Sequence, residues 1–207
     1  MKEYKNIEDT EINEAKEPIM NYDKLYTYGD YLKFEFEEMV EIIRGKLFRM
    51  SPAPKTKHQQ VSMNILRAFL PKLKDKTCNI FHAPTDVVLP IANKKRNKST
   101  TVVQPDIFVI CDPTIIEETA VFGVPDFVIE IIAGKDVKRD TKDKYSVYEE
   151  AGVGEYWIVF GEMHFVEVYI LEEGKYQRLN AFSEDDVIPV KTLPGLSISI
   201  EDIFEGL

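Results

Sequence analysis

The chain predicts a single α/β sandwich, strands inside and helices outside, on three observations. Residues 79–134 contain three β-rich runs, NIFHAPTDVVLPI, TVVQPDIFVIC and PDFVIEIIAG; the third is apolar on both faces apart from Glu130, as a strand at the centre of a sheet would be. The stretch from Lys57 to Lys76 places Val61, Ile65, Leu66, Phe69 and Leu73 at helical spacing with charges on the far side. No internal repeat and no second core divides the 207 residues, a length suited to one domain.

The elements follow in order. Residues 1–22 are acidic and poor in large apolar side chains, and are expected to form a flexible extension to a domain spanning 23–207. Thr27 with Asp30 three residues on is a capping arrangement for a short helix carrying Tyr31 and Leu32. Val40–Met50 reads as two strands about an Arg44-Gly45 turn, because glycine accepts the positive φ that a tight hairpin needs. In the long helix, Pro71 is expected to kink or end the regular part. Residues 137–151 read as a helix closed by Gly152. EYWIVF and HFVEVYIL form a strand pair across Gly161-Glu162, and the tail ends in a helical turn after DDVIPV and SISI.

Composition excludes several classes. At 44% hydrophobic and 30% charged the chain can bury a core. No apolar run approaches the roughly 20 residues that cross a bilayer, and no apolar stretch follows the first lysines, so neither a membrane helix nor a secretory signal is expected. Cys78 and Cys111 lie far apart in apolar surroundings and read as buried free thiols of a reducing cytoplasm. The net charge of −10 argues against sequence-blind attraction to nucleic acid. Residues 54–104 invert that balance: ten basic residues stand against Asp75 and Asp86, leaving net −18 on the rest. Lys55, Lys57, Lys94, Lys95, Arg96 and Lys98 would then belong to a basic face toward a polyanion; lysine-rich solvated faces are the plainer reading.

Glu130 is a lone acid inside FVIEIIAG, and a buried carboxylate is tolerated when paired, neutralised or bound to a metal. Asp106 and Asp126, each after a proline, are the candidate partners. Asp126 and Glu130 are four apart on one strand, about 13 Å at roughly 3.3 Å per residue. Two ligands of one magnesium each lie about 2.1 Å from it, so that separation is too great. Asp106 lies on a different strand that pairing could bring alongside. Three histidines without metal spacing give no zinc site, and neither a phosphate-binding glycine loop nor a serine elbow is present.

Pro105-Asp106 followed by Glu130 on the next core strand resembles the PD-(D/E)XK nuclease superfamily. More narrowly, residues 27–204 are similar to the Uma-type restriction endonuclease family. The likeness is carried by Glu41, Gly45, His58-Gln59, Asp86, Val88, Val103-Gln104-Pro105-Asp106, Pro125-Asp126, Glu130, Arg139-Asp140, Lys144, Tyr148, Ala151-Gly152-Val153 and Glu155-Tyr156-Trp157. The chain departs from the superfamily at Ile132, where the motif expects lysine, and at Ile132–Lys135, where Ile-Ala-Gly-Lys replaces Leu-Ser-Pro-Ser. Lys144 matches the family's migrated lysine, and it shares a helical stripe with Val137, Thr141, Tyr148 and Ala151.

The resemblance implies a restriction endonuclease-like core, a central mixed β-sheet flanked by α-helices, and magnesium-dependent hydrolysis of DNA phosphodiesters, with Mn²⁺ as a substitute. Asp106, Glu130 and the Ile131 carbonyl would hold the metal, with Glu41 through water or at a second ion. Lys144 would orient the attacking water, and His58 would cap its helix, act as a base or contact phosphate. By alternation alone Glu41 would face solvent, while Tyr148 and Trp157 read as core and His82 and His164 as structural. The alternative is a catalytically inactive nuclease-fold DNA-binding or regulatory module. Cutting both strands of a duplex takes two sites, which a homodimer would supply, although the sequence shows no interface signal.

Overall fold

The computed structural model describes residues 23–35, 39–50, 55–74, 76–93, 95–132 and 139–207. The expected extension over 1–22 lies outside them, as do Lys94 and Val137. The order is α1 (Tyr28–Tyr31), β1 (Val40–Ile43), β2 (Lys46–Arg49), α2 (Thr56–Leu73), β3 (Asn79–His82), β4 (Val87–Val88), β5 (Val102–Val103) and β6 (Ile107–Ile110). There follow β7 (Val121–Phe122), β8 (Phe127–Ile132), a π-helical stretch (Arg139–Lys144) running into α3 (Tyr145–Ala151), β9 (Glu155–Phe160), β10 (Phe165–Glu172), β11 (Lys175–Ser183), β12 (Val187–Pro189), β13 (Ser197–Ser199) and α4 (Ile200–Phe204).

The main sheet runs β11-β10-β9-β8-β6-β3. Its β8–β9 pair is parallel and the others are antiparallel, so the sheet is mixed. Both faces are covered. On one, Val61, Ile65 and Phe69 of α2 pack on Ile107, Phe127, Ile129, Trp157 and Val159, with Ile203 and Phe204 of α4 alongside. On the other, Val147 and Tyr148 of α3 meet Phe108, Val128, Tyr156 and Ile158. This double cover is why β8 is apolar at every position but Glu130. A second sheet, β2-β1-β5-β4-β7, packs through Ile43, Val87 and Val103 onto the α3 side.

Local chemistry sets several boundaries. Thr27 and Asp30 form the reciprocal capping box of α1. Arg44 (φ 52°) and Gly45 (φ 84°) give the two left-handed residues that a two-residue hairpin loop requires. Gly152 at φ 97° closes α3. Pro71 does not end α2, which continues to Leu73. Pro71 forgoes only its own bond to the Arg67 carbonyl, and the helix runs on for just two more residues beyond it. The helix expected over 137–151 is described from Arg139, and its first turns are π-helical.

The expectation for the cysteines is overturned. Cys78 and Cys111 are joined as a disulfide and are not free thiols. The ladder pairs Asn79 with Ile110, which puts the two cysteines opposite each other one step beyond it. Their separation of 33 residues hides that adjacency from the sequence. The bridge closes a long loop and so restricts the unfolded chain. Cys78→Ser with Cys111→Ser is expected to cost about 2–4 kcal/mol in denaturant unfolding, and the denatured, unreduced parent should show no reactive thiol.

Candidate active site

Register brings the two principal acids together. The antiparallel β6–β8 ladder pairs Ile107 with Ile129, so Asp106 and Glu130 are the next pair along. Asp106 is fixed from three sides. Its Oδ2 accepts the Ile131 N–H (2.7 Å) and lies 3.2 Å from His58 Nε2, while its carbonyl accepts the Ala83 N–H (3.1 Å). His58 sits in the first turn of α2, so the helix that covers one sheet face also delivers the imidazole to the strand end. Both of these carboxylate contacts fall on Oδ2, and the Asp106 side chain is 21% exposed, so it stays reachable from solvent.

Glu130 lies deeper. Its Oε1 accepts from Lys144 Nζ (2.8 Å) and from the Tyr148 hydroxyl (2.7 Å). The same ammonium lies 2.9 Å from Glu41 Oε1, which also accepts the Gln104 N–H (2.9 Å). Glu41, Glu130 and Lys144 are all buried. Glu41 therefore does not face solvent as alternation suggested: every residue of β1 is buried, because Glu41 shares its face with Ile43, which packs on the α3 side of the core, while Val40 and Ile42 on the other face are covered by Tyr26 and Tyr28. Burial, with the Glu130 carboxylate next, holds the Tyr148 phenol well above its ordinary range, so it stays a donor.

The sequence reading placed Tyr148 in the core and missed this bond. The available signal was its position four residues after Lys144, one turn along the same face. Gln104 and Asp86 extend the network. Gln104 Nε2 donates to Asp86 Oδ1 (2.8 Å), as does the Tyr31 hydroxyl (3.0 Å). Burial raises the Asp86 carboxyl above the usual range despite these donors.

Asp126 is elsewhere: its Oδ2 accepts the Cys111 N–H (2.7 Å) at the opposite end of β6. His82 contacts the Ala83 carbonyl and His164 stacks on Phe204. Trp157 is core, and its indole donates to buried Glu155 (2.8 Å). Of the basic residues, Lys55 and Lys57 flank the start of α2 beside His58, with Lys57 3.4 Å from Glu162. Lys95 and Lys98 are exposed, and Arg96 pairs with Glu117 over the Phe122 ring.

The donor chemistry suits a hard cation. Asp106 and Glu130 are neighbouring carboxylates, and the N–H and C=O of one strand residue project toward the same neighbour, so the Ile131 carbonyl faces the Asp106 side. Among the described residues no three His, Cys, Asp or Glu side chains converge to hold a metal ion unaided. Magnesium does not need such a set, because it takes one or two carboxylates and completes its shell with water and substrate phosphate.

No curated protein matches the chain. A solved structure described as a putative nuclease belonging to DUF820, from Anabaena variabilis ATCC 29413, is 23% identical, with a TM-score of 0.68 over 86% of this chain and 97% of that one. That likeness shows the fold, an α/β core with a mixed sheet flanked by helices, as expected of a restriction endonuclease-like chain. The Uma2 family profile, described as "putative restriction endonuclease", matches residues 25–201, and the chain belongs to that family.

Proposed function

We propose that this chain is a metal-dependent DNA endonuclease that hydrolyses phosphodiester bonds. The observation that carries the reading is the pairing of Asp106 with Glu130 on neighbouring strands, with Lys144 held on Glu130. Asp106, Glu130 and the Ile131 carbonyl would hold Mg²⁺ or Mn²⁺, with Glu41 close enough to Lys144 to share its charge. The ion would polarise a phosphoryl oxygen and lower the pKa of a bound water. His58, beside Asp106 near a helix start, is placed to contact phosphate or take a proton. Lys144 supplies the positive charge that Ile132 cannot.

Tyr148 is a positioning residue in this scheme. Its hydroxyl fixes the Glu130 carboxylate and leaves Lys144 to one side of it. Lys55, Lys57, Lys94, Lys95, Arg96 and Lys98 would hold the DNA backbone, a role that positions the duplex without reading sequence. A catalytically inactive DNA-binding module is the second reading; it is favoured by the closure of Lys144 between two carboxylates, which leaves its ammonium already neutralised.

Cleavage of supercoiled plasmid separates the two. The parent should nick or linearise it with Mg²⁺ or Mn²⁺ and not with EDTA, and Asp106→Asn should abolish cutting while Asp126→Asn keeps it. Metal-dependent cutting that survives Asp106→Asn would sink the site assignment. Calorimetry near neutral pH should show metal binding that Asp106→Ala or Glu130→Ala removes.

Lys144→Met leaves two buried carboxylates without their cation, so it should lose about 3–5 kcal/mol of stability as well as activity. Tyr148→Phe should fold and cleave at least ~10-fold more slowly, the scale of one lost charge-assisted hydrogen bond. Replacing Lys55 and Lys57 by Ser should lower the slope of log affinity against log salt by about 0.9 for each phosphate left without its lysine. An unchanged slope would remove them from the interface.

A further inference from the structure

A cavity of about 360 Å³ lies beside the site, lined in part by Phe81, Pro84, Asp86, Gln104, Glu118 and Thr119. That volume suits a small planar group. Gln104 is 7% exposed, and its Oε1 is buried with no hydrogen-bond partner among the described residues. A buried carbonyl left this way costs free energy, which a donor in the cavity would recover once the Gln104 side chain turns to meet it. Asp86 receives the Tyr31 and Gln104 donors on Oδ1, so its second oxygen adds another acceptor. The lining thus offers acceptors and negative charge, which repels phosphate and favours a group rich in N–H donors.

The cavity is tied to the site by backbone bonds. Gln104 turns its side chain to Asp86 and its N–H to Glu41. Ala83, next to Pro84 in the lining, donates its N–H to the Asp106 carbonyl. A group held there would lie against the segment that leads into Asp106, two residues after Gln104. Phe81, stacked on Phe108 at 5.3 Å, contributes an aromatic wall.

We propose that this cavity is a subsite for an unpaired nucleobase bearing an exocyclic amino group, next to the phosphate bound at Asp106. The proposal rests on the nuclease reading of the neighbouring site. It assigns the enzyme a preference for substrates in which a base is already extruded, because unstacking a paired base costs several kcal/mol that a bulge or damaged site has largely forgone.

The test is fluorescence anisotropy in EDTA, where nothing is cut, with labelled hairpin duplexes carrying one bulged dA, dC, dT or abasic nucleotide. The parent should bind the dA and dC bulges at least about fivefold more tightly than the dT and abasic ones, on the scale of one base contact. Gln104→Met should bring the four within about twofold while leaving affinity for the fully paired hairpin unchanged. Asp86→Asn keeps the side-chain shape, turns an acceptor into a donor, and should do the same; it decides the matter if Gln104→Met does not fold. Equal affinities in the parent, or a preference that survives both substitutions, would overturn the subsite. Plasmid cleavage on the same preparation separates the two readings. Cutting with flat bulge affinities removes only the subsite, whereas base-dependent binding without cutting keeps it and removes the nuclease.

Discussion

The Lys144 ammonium, lying between Glu41 and Glu130 in a buried setting, is the interaction on which the rest of the site depends. Two carboxylates and one ammonium leave a net negative charge away from water. Such an arrangement survives only if the remaining lone pairs find donors. The Gln104 N–H and the Tyr148 hydroxyl supply two of them. The triad also crosses layers, because Glu41 belongs to the smaller sheet, Glu130 to the central one, and Lys144 to the helical segment between β8 and β9. Loss of the central charge would therefore loosen the packing between two sheets as well as the chemistry.

Asp106 is held by different means. It is partly exposed, fixed by one backbone N–H and one imidazole, and it stands where a strand ends and α2 begins. The site thus has a rigid inner carboxylate and a reachable outer one. That division suits a centre in which one ligand must be preformed and another must meet a solvated ion.

Much of this was legible in the sequence because the chemistry interrupts a pattern. Glu130 breaks an apolar strand, and Lys144 breaks an apolar helical stripe. Alternation alone turned Glu41 outward, because it assumes that one face of a strand is wet and β1 is buried on both, and only the family likeness placed it at the site. Tyr148 was missed because a core tyrosine and a hydrogen-bonding one look the same until the partner is known. The cysteine pair depended on a register across 33 residues, which no local pattern encodes. β11 escaped for the opposite reason: this edge strand is largely exposed on both faces, so it carries no hydrophobic period.

The parallel pairing of β8 with β9 has a kinetic consequence. Antiparallel neighbours can zip from a hairpin, but this pair needs the whole segment from 133 to 154 to cross the sheet first, and that segment carries Lys144 and Tyr148. Glu41 must also come in from more than a hundred residues away in sequence to meet Lys144. Non-local closure of this kind slows folding, because chain entropy is lost before the contacts form. The charged triad should thus be among the last parts to lock. A nascent chain would hold two desolvating carboxylates without their cation until the crossover arrives, which keeps the half-made sheet open and hydrated until Lys144 reaches it.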